Sequence, residues 1–409
     1  MRILFVSHYF PPEVNAPANR THEHARRWAA DGHDVTIITG VPNHPRGVLF
    51  PGYQNKLVQE ERIDGIRVIR TWMYLTANEG FLRRTLNYLL FALAAVLAST
   101  RTARPDVVVA TSPQFFCGVA GALIGRLKRC PFVLEVRDLW PDSIVQLGQI
   151  RTRPLIRFLE AVEKRLYHSA AGIVVNTQAF VEHIAARGYP RDRMAVVYNG
   201  INLAMFRPRP PDRDLLREHD LLDRFVVAYI GTLGLAHGLM TIVDAAERLR
   251  GHSDILFLLL GEGAERSRLE TEISRRGLPN VRLLGLRPRA EIPAWIASVD
   301  LTLVSLRDLP VFETVIPSKI FEFLAQERPV IVAARGEIRH LVEDNKVGCV
   351  IDPENAVQLV SAVLELRERP DESAARARAG RAWVENNFDR DVLARRMLRF
   401  IESVVGTGR

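Results

Sequence analysis

Short apolar runs, spaced by helical segments, constrain this chain more than any other feature. Residues 2–7 (RILFVS), 34–39 (DVTIIT), 107–111 (VVVAT), 132–136 (FVLEV) and 172–176 (GIVVN) are rich in Val and Ile and apolar on both faces. Parallel strands covered by helices on both sides have this character. Between the first two runs, residues 18–30 read as a helix that stops at Asp31-Gly32, a C-cap signal. Repeated strand–helix–strand units predict a doubly wound sheet. The pattern then restarts. A short strand at 195–198 leads to Asn199-Gly200 and then Pro208, Pro210 and Pro211, the strongest linker signal in the chain. Beyond it lie runs at 225–230 (FVVAYI), 255–260 (ILFLLL), 281–284 (VRLL), 301–305 (LTLVS) and 330–333 (VIVA). The expectation is an α/β chain of two facing Rossmann-like domains, residues 1–200 and 201–388. A last helix at 389–409 is free to join either domain and is expected to pack back on the first. A length of 409 residues accommodates that division.

With 47% hydrophobic and 25% charged residues, the composition excludes a disordered or fibrous chain. Cys117, Cys130 and Cys349 are odd in number and lack metal-ligand spacing, so reduced thiols and a cytoplasmic location are expected. Met1-Arg2 runs straight into the first apolar segment, so no secretory signal is expected. The formal charge of +8 favours anionic partners: phosphorylated metabolites, anionic lipid or nucleic acid. No Lys/Arg tail, zinc spacing or aromatic-plus-basic signature supports a nucleic-acid partner. Residues 81–98, from Phe81 to Ala98 (FLRRTLNYLLFALAAVLA), form the most apolar helical stretch. Its uninterrupted apolar core falls short of the ~20 residues of a span. Two readings stand side by side: a peripheral membrane contact with Arg83 and Arg84 at the headgroups, or a helix buried on the sheet.

The turns after the strands separate the two halves chemically. Residues 7–18 (SHYFPPEVNAPA) contain no glycine, so a dinucleotide cannot approach the backbone there, which argues against NAD or FAD. Three prolines instead make a rigid loop that holds Glu13 and Asn15 over the sheet edge, or simply a stiff loop. In the second half, the first strand enters Gly231-Thr232-Leu233-Gly234-Leu235-Ala236-His237-Gly238, followed by a helix to about Arg250. Glycines at a strand-to-helix turn let amides converge on an anion. The Gly-Lys-Ser/Thr ending of a P-loop is absent. Gly261-Glu262-Gly263 and Gly285-Leu286-Arg287-Pro288 end the next strands at the same edge, as a low pocket floor and a base-reading tip or as plain turns. In Ile316-Pro317-Ser318-Lys319-Ile320-Phe321-Glu322-Phe323, Ser318 is expected to cap a helix and Lys319 to offer an ammonium. Glu322, one turn after Ser318, suits a ribose diol beside a diphosphate, or is a solvated surface carboxylate.

In this order, several further stretches carry a resemblance. They are SHYFPPE, Asp31-Gly32-His33-Asp34-Val35, Val41-Pro42-Asn43-His44-Pro45, Arg137-Asp138-Leu139-Trp140-Pro141-Asp142, and Tyr198-Asn199-Gly200 with Phe206 and Pro208. With GTLGLAHG, LLGEG and PSKIFEF they make the whole chain resemble GT-B-fold retaining glycosyltransferases of family 4, the glycosyl transferases group 1 superfamily. The pattern is nearest the bacterial branch of O-antigen, capsule and colanic-acid-type polysaccharide synthesis, including N-acetylfucosaminyl transferases. The resemblance implies a deep interdomain cleft, with a nucleotide donor, usually UDP-linked, on the second domain and an acceptor on the first. It implies no metal and no cofactor beyond the UDP-sugar. Residue by residue, Glu322 matches the ribose-binding glutamate, Ser318 and Lys319 flank the diphosphate, and Leu286 and Arg287 match the base-contacting loop. Gly231, Thr232, Gly234, His237, Gly238 and Gly261 complete the donor side. Asn15, His44 and Trp140 are acceptor-side candidates, and Asp138 and Glu13 the catalytic ones.

Three departures qualify the match. The glutamate expected eight positions before Glu322 is Thr314, beside Glu313. The loop lysine expected before the glycine is His237, so the missing charge falls to Lys319 or to a protonated His237. The cleft histidine after the fifth strand appears as Asp138, which orients an acceptor, steadies a sugar cation or caps a helix. The expected function is transfer of a sugar, an N-acetylated hexosamine, from UDP to a polyprenyl-diphosphate-linked saccharide, at the inner face of the cytoplasmic membrane. Two rivals remain: a GT-B epimerase or transferase with a soluble acceptor, and an inactive nucleotide-sugar-binding partner protein.

Overall fold

The structure, a computed structural model, describes residues 1–44, 46–76, 81–112, 115–146, 150 and 152–407. It divides into two compact units, Met1–Asn199 with Arg390–Arg409, and Gly200–Asp389.

The strands of the first unit are β1 (Arg2–Val6), β2 (Asp34–Gly40), β3 (Val58–Ile63), β4 (Ile66–Thr71), β5 (Val107–Thr111), β6 (Phe132–Val136), β7 (Gly172–Val175) and β8 (Met194–Val196). Its helices are α1 (Ala16–Ala30), α2 (Phe81–Ser99), α3 (Phe115–Lys128), α4 (Asp142–Gln146), α5 (Arg153–Ser169) and α6 (Gln178–Ala186). The strands form one sheet in the order β3-β4-β2-β1-β5-β6-β7-β8. Every pair is parallel except β3–β4. Strand β1 is flanked by β2 and β5, with Ile3 opposite Val35 on one side and Val107 on the other. Chain order reverses there, and ligands of open α/β sheets bind at the carboxyl ends of such a point.

The hairpin β3–β4 turns at Asp64-Gly65, both with positive φ (49° and 82°), the backbone that matches strand twist in a two-residue hairpin. One sheet face is covered by α2, α3, α5 and α6, which bury Phe91, Ile124, Leu166 and Ile184. The other is covered by α1 and the C-terminal helix, Arg390–Thr407, through Trp28, Leu393, Met397 and Ile401. The Trp28 indole donates to the Ala394 carbonyl at 3.0 Å, fastening the chain's end to the first unit.

The second unit is built from β9 (Phe225–Ile230), β10 (Ile255–Leu260), β11 (Val281–Leu283), β12 (Leu301–Ser305), β13 (Val330–Ala333) and β14 (Cys349–Ile351). Its helices are α7 (Arg213–Glu218), α8 (Met240–Arg248), α9 (Arg266–Arg276), α10 (Ile292–Ala297), α11 (Lys319–Ala325), α12 (Glu337–Asn345), α13 (Ala356–Glu368) and α14 (Pro370–Asn387). The sheet is wholly parallel, in the order β11-β10-β9-β12-β13-β14. Its reversal lies between β9 and β12. The loops after β9, β10, β11 and β12 therefore gather at one edge.

Candidate functional site

The edge of the second sheet is shaped by close backbone approach. Gly231 and Gly261 follow β9 and β10 with φ of 144° and 153°. A Cβ on Gly261 would overlap the Gly231 carbonyl oxygen, so this pair of turns closes only with glycine. A Cβ on Gly231 would fall 2.6 Å from the Lys319 Nζ. The Lys319 side chain thus lies directly over the glycine turn. Its ammonium is 3.8 Å from the centre of the Tyr229 ring and has no hydrogen-bond partner among the described residues. A cation–π contact offsets only part of the cost of taking an ammonium out of water. Burial pulls the Lys319 pKa down to about 7, against the smaller upward pull of Glu322.

His237 ends the loop at the β9/β12 reversal, where its Nδ1 faces the Ser305 carbonyl at 3.2 Å and the Ser305 hydroxyl donates to the His237 carbonyl at 2.7 Å. Burial, aided by the Lys319 charge, lowers the His237 pKa to about 4. The ring is neutral at pH 7, with Nδ1 as the donor. Of the two groups, Lys319 is the one that burial leaves titrating near neutral pH. Thr232 contributes its carbonyl to the Tyr229 hydroxyl at 2.8 Å, and Gly234 packs beside Thr232 and His237. Gly238, in the left-handed region at φ 57°, lies against Glu354 and Arg307.

Glu322 faces the same edge from α11. Its carboxylate is held in a two-point pair by Arg289, at 2.6 and 3.1 Å, and the Arg289 guanidinium stacks over Phe206 at 4.7 Å. Glu322 is buried, so the reading of a solvated surface carboxylate is set aside. Ser318 differs from expectation: it already has helical backbone angles and makes no side-chain cap bond. Arg287 lies over the Trp295 ring at 5.6 Å, whereas the Leu286 side chain is exposed and joins none of these groups.

In the first unit the candidates are committed to holding backbone. Glu13 is 2% exposed, and its Oε1 accepts the amides of Asn43 and His44 at 3.0 and 2.9 Å. Burial pushes its pKa up while those bonds pull it down. Glu13 is a positioning residue for the 43–44 loop, not a group presented to a substrate. Asn15 is the N-cap of α1, its Oδ1 accepting the Ala18 amide at 2.9 Å, so its role too is structural. The His44 ring rests edge-on against Tyr9, and burial lowers its pKa. Trp140 stacks on Phe115 at 4.4 Å and belongs to an aromatic cluster rather than an open wall. Asp138 is half-buried just past β6, its carbonyl accepting the Trp140 amide. Before it stands Arg137, which burial pulls down to about 10 and which is still a cation at neutral pH. Burial would raise the neighbouring Glu135, but Arg20, bound at 2.8 Å, holds its carboxyl below the usual range.

Arg289, Tyr229 and Ser305 escaped the sequence reading. Arg289 repeats the basic character of Arg287 two residues on, and Tyr229 is a hydroxyl in a buried strand. Among the described residues, no group of three or more His, Cys, Asp or Glu side chains is placed to hold a metal ion.

Two α/β units, each built on a mainly parallel sheet, give the chain the GT-B fold of glycosyltransferases. The fold is shared with an Anabaena protein, Alr3699/HepE, solved in complex with UDP and glucose (TM-score 0.72, 20% identity, 98% of this chain and 100% of that one). It is shared also with a sucrose-phosphate synthase from Thermosynechococcus elongatus (TM-score 0.77, 18% identity, 99% of each chain). The glycosyl transferase 4-like domain family matches residues 15–200, and the glycosyl transferases group 1 family matches residues 224–369. The two halves thus match two glycosyltransferase domain families, and the chain is a glycosyltransferase enzyme. WcaI of Escherichia coli K12, assigned as a colanic acid biosynthesis glycosyl transferase, is 24% identical over 98% of this chain and all of its own. A GDP-mannose-dependent alpha-mannosyltransferase of Mycobacterium tuberculosis is 26% identical over 94% of this chain and 93% of its own.

Proposed function

We propose that the chain transfers a sugar from a UDP-linked donor, with retention at the anomeric carbon, to a polyprenyl-diphosphate-linked saccharide in surface polysaccharide synthesis. The observation that carries the donor half is Lys319: a buried ammonium without a hydrogen-bonding anion, at the point where two glycine turns meet. A diphosphate supplies the missing partner, and Glu322, one turn away, lies within ribose reach of it. Positive charge there stabilises the departing nucleotide as the glycosidic bond breaks. In a front-face displacement the acceptor hydroxyl attacks on the side the diphosphate leaves, and the diphosphate oxygen takes its proton, so no protein nucleophile is required. Asp138, just past β6, is the catalytic candidate on the first unit, to orient the acceptor hydroxyl or steady the sugar cation.

The WcaI resemblance supports a polysaccharide acceptor, as does that to the amylovoran biosynthesis glycosyltransferase AmsK of Erwinia amylovora. UDP is favoured by the nucleotide in the Anabaena structure, and GDP is the competing donor on the mannosyltransferase likeness. An N-acetylated hexosamine as the transferred sugar, the absence of a metal requirement and a place at the inner face of the cytoplasmic membrane complete the proposal.

The test is product analysis with purified protein, a panel of UDP- and GDP-sugars and a polyprenyl-diphosphate saccharide, with and without chelator. Transfer from a UDP-N-acetylhexosamine with an unchanged anomeric configuration is expected. Transfer only from GDP-sugars, or only to a water-soluble acceptor, overturns it.

A further inference from the structure

The helices on one face of the first sheet carry apolar side chains on their outer sides. Helix α2 buries Phe91, Ala95 and Ala98 against the sheet. Its opposite face presents Leu86, Leu89, Leu93 and Leu97, between 45% and 62% exposed. Steps of three and four residues put these leucines on one stripe. Helix α3 packs between α2 and α5. It adds the exposed Leu123 and Leu127, and α5 adds the exposed Leu155 and Phe158. Between α3 and α5 runs a groove of about 1210 Å³, with Leu123 and Val119 on one wall and Phe158 and Val162 on the other. Monomeric proteins rarely leave apolar surface this continuous without a use for it.

The charge around it is of one sign. Arg126, Arg129, Lys164 and Arg165 line the same groove and are exposed. Residues 81–129 hold seven Lys or Arg and a single acidic residue, Asp106. On α5, Glu163 is buried and paired with Arg187, which leaves Glu160 as its exposed carboxylate. Protein–protein interfaces have cores depleted of charge and rims of mixed polarity. A second copy of this chain would set one basic rim against another, because a two-fold contact brings the same patch from both sides. An anionic bilayer meets both features: lipid phosphates attract the guanidinium and ammonium groups, and apolar side chains enter the acyl boundary. Among the described residues no helix is long and apolar enough to cross a membrane, so the contact is with its surface.

We propose that the outer face of α2, α3 and α5, centred on the groove between Leu123 and Phe158, docks on an anionic lipid bilayer. Lipid chains enter the groove, and lipid phosphates meet Arg126, Arg129, Lys164 and Arg165. The inference rests on the reading that the acceptor is lipid-linked, and moves the centre of contact from residues 81–98 to the neighbouring helices.

The test is sedimentation of the full chain with vesicles of phosphatidylcholine alone or with one-third phosphatidylglycerol. Two variants are compared with the wild type, Leu123→Glu/Phe158→Glu and Arg126→Glu/Arg129→Glu/Arg165→Glu, each checked for melting temperature and UDP affinity. The wild type is expected to bind anionic vesicles at least about tenfold better than neutral ones, with the preference fading as salt rises. Both variants are expected to lose at least about tenfold in binding to anionic vesicles, at unchanged melting temperature and UDP affinity. Variants that bind as the wild type does overturn the proposed face while leaving membrane action standing. A wild type that ignores both vesicles overturns face and membrane action together. A wild-type dimer that the variants split, with vesicle binding unchanged, gives the face to a second copy and likewise overturns the proposal.

Discussion

The strand ends of the two sheets are alike in topology and opposite in chemistry. In the first unit, the loop after β1 spends its polar groups on its own backbone: Glu13 caps two amides and Asn15 caps α1. In the second, the loop after β9 is stripped to glycine, and the nearest cation, Lys319, is left without an anion. One edge spends its polar side chains on its own backbone; the other keeps an ammonium without a hydrogen-bond partner among the described residues. An unpaired buried ammonium is costly to keep. Its retention beside the two glycine turns is the ground for proposing the donor site in the second unit.

The largest effect that would break this contrast is at Gly261. Gly261→Ala drives a methyl into the Gly231 carbonyl at a backbone angle that L-residues avoid. The second unit is expected to lose more than about 4 kcal/mol of stability, read by chemical denaturation. A variant as stable as the wild type would mean that the two turns need not approach so closely. Next comes Glu13→Ala, which leaves the buried amides of Asn43 and His44 unpaired, a loss of about 2–4 kcal/mol. UDP affinity should not move if the donor site lies, as proposed, on the other unit. A coupled loss of UDP binding would make Glu13 part of the donor site. The smallest of the three is Glu322→Ala, expected to weaken UDP binding by about 10- to 100-fold, the worth of one or two hydrogen bonds to a carboxylate. Because Arg289 is partly exposed, the melting temperature should hardly change. Equal affinity in calorimetry would remove Glu322 from the nucleotide site.

Much of the fold was legible because buried parallel strands leave uniform apolar runs. Every interior strand except β4, from 2–7 through 330–333, was visible in this way, and so was the break at Asn199-Gly200. The hairpin β3–β4 and the edge strand β14 were not. β3 (VQEERI) alternates polar and apolar residues at a sheet edge, and β14 (CVI) is only three residues long. Asp64-Gly65 was the available signal for the hairpin. At the candidate site, glycine spacing marked the second-unit turns, over which Lys319 lies, while Glu322 pairs with Arg289. Sequence could not show that Glu13 turns inward, that Trp140 stacks on Phe115, or that Ser318 leaves its helix uncapped. Those outcomes depend on side-chain direction, which spacing alone does not fix. Arg289 became visible only as the partner of Glu322, brought 33 positions along the chain by the sheet.

The most direct test is calorimetric titration of UDP into the wild type and Lys319→Met, between pH 6 and pH 9, in buffers of differing ionisation enthalpy. With the Lys319 pKa near 7 in the free protein, the amine is largely neutral above that pH and must take up a proton to meet a diphosphate. The wild type should therefore bind UDP with net proton uptake above pH 7 and with affinity that falls as pH rises. Lys319→Met should bind at least about 30-fold more weakly at pH 7 and lose the proton uptake, while its melting temperature holds or rises. Equal affinity and equal pH dependence in the two proteins would contradict a donor site built around Lys319.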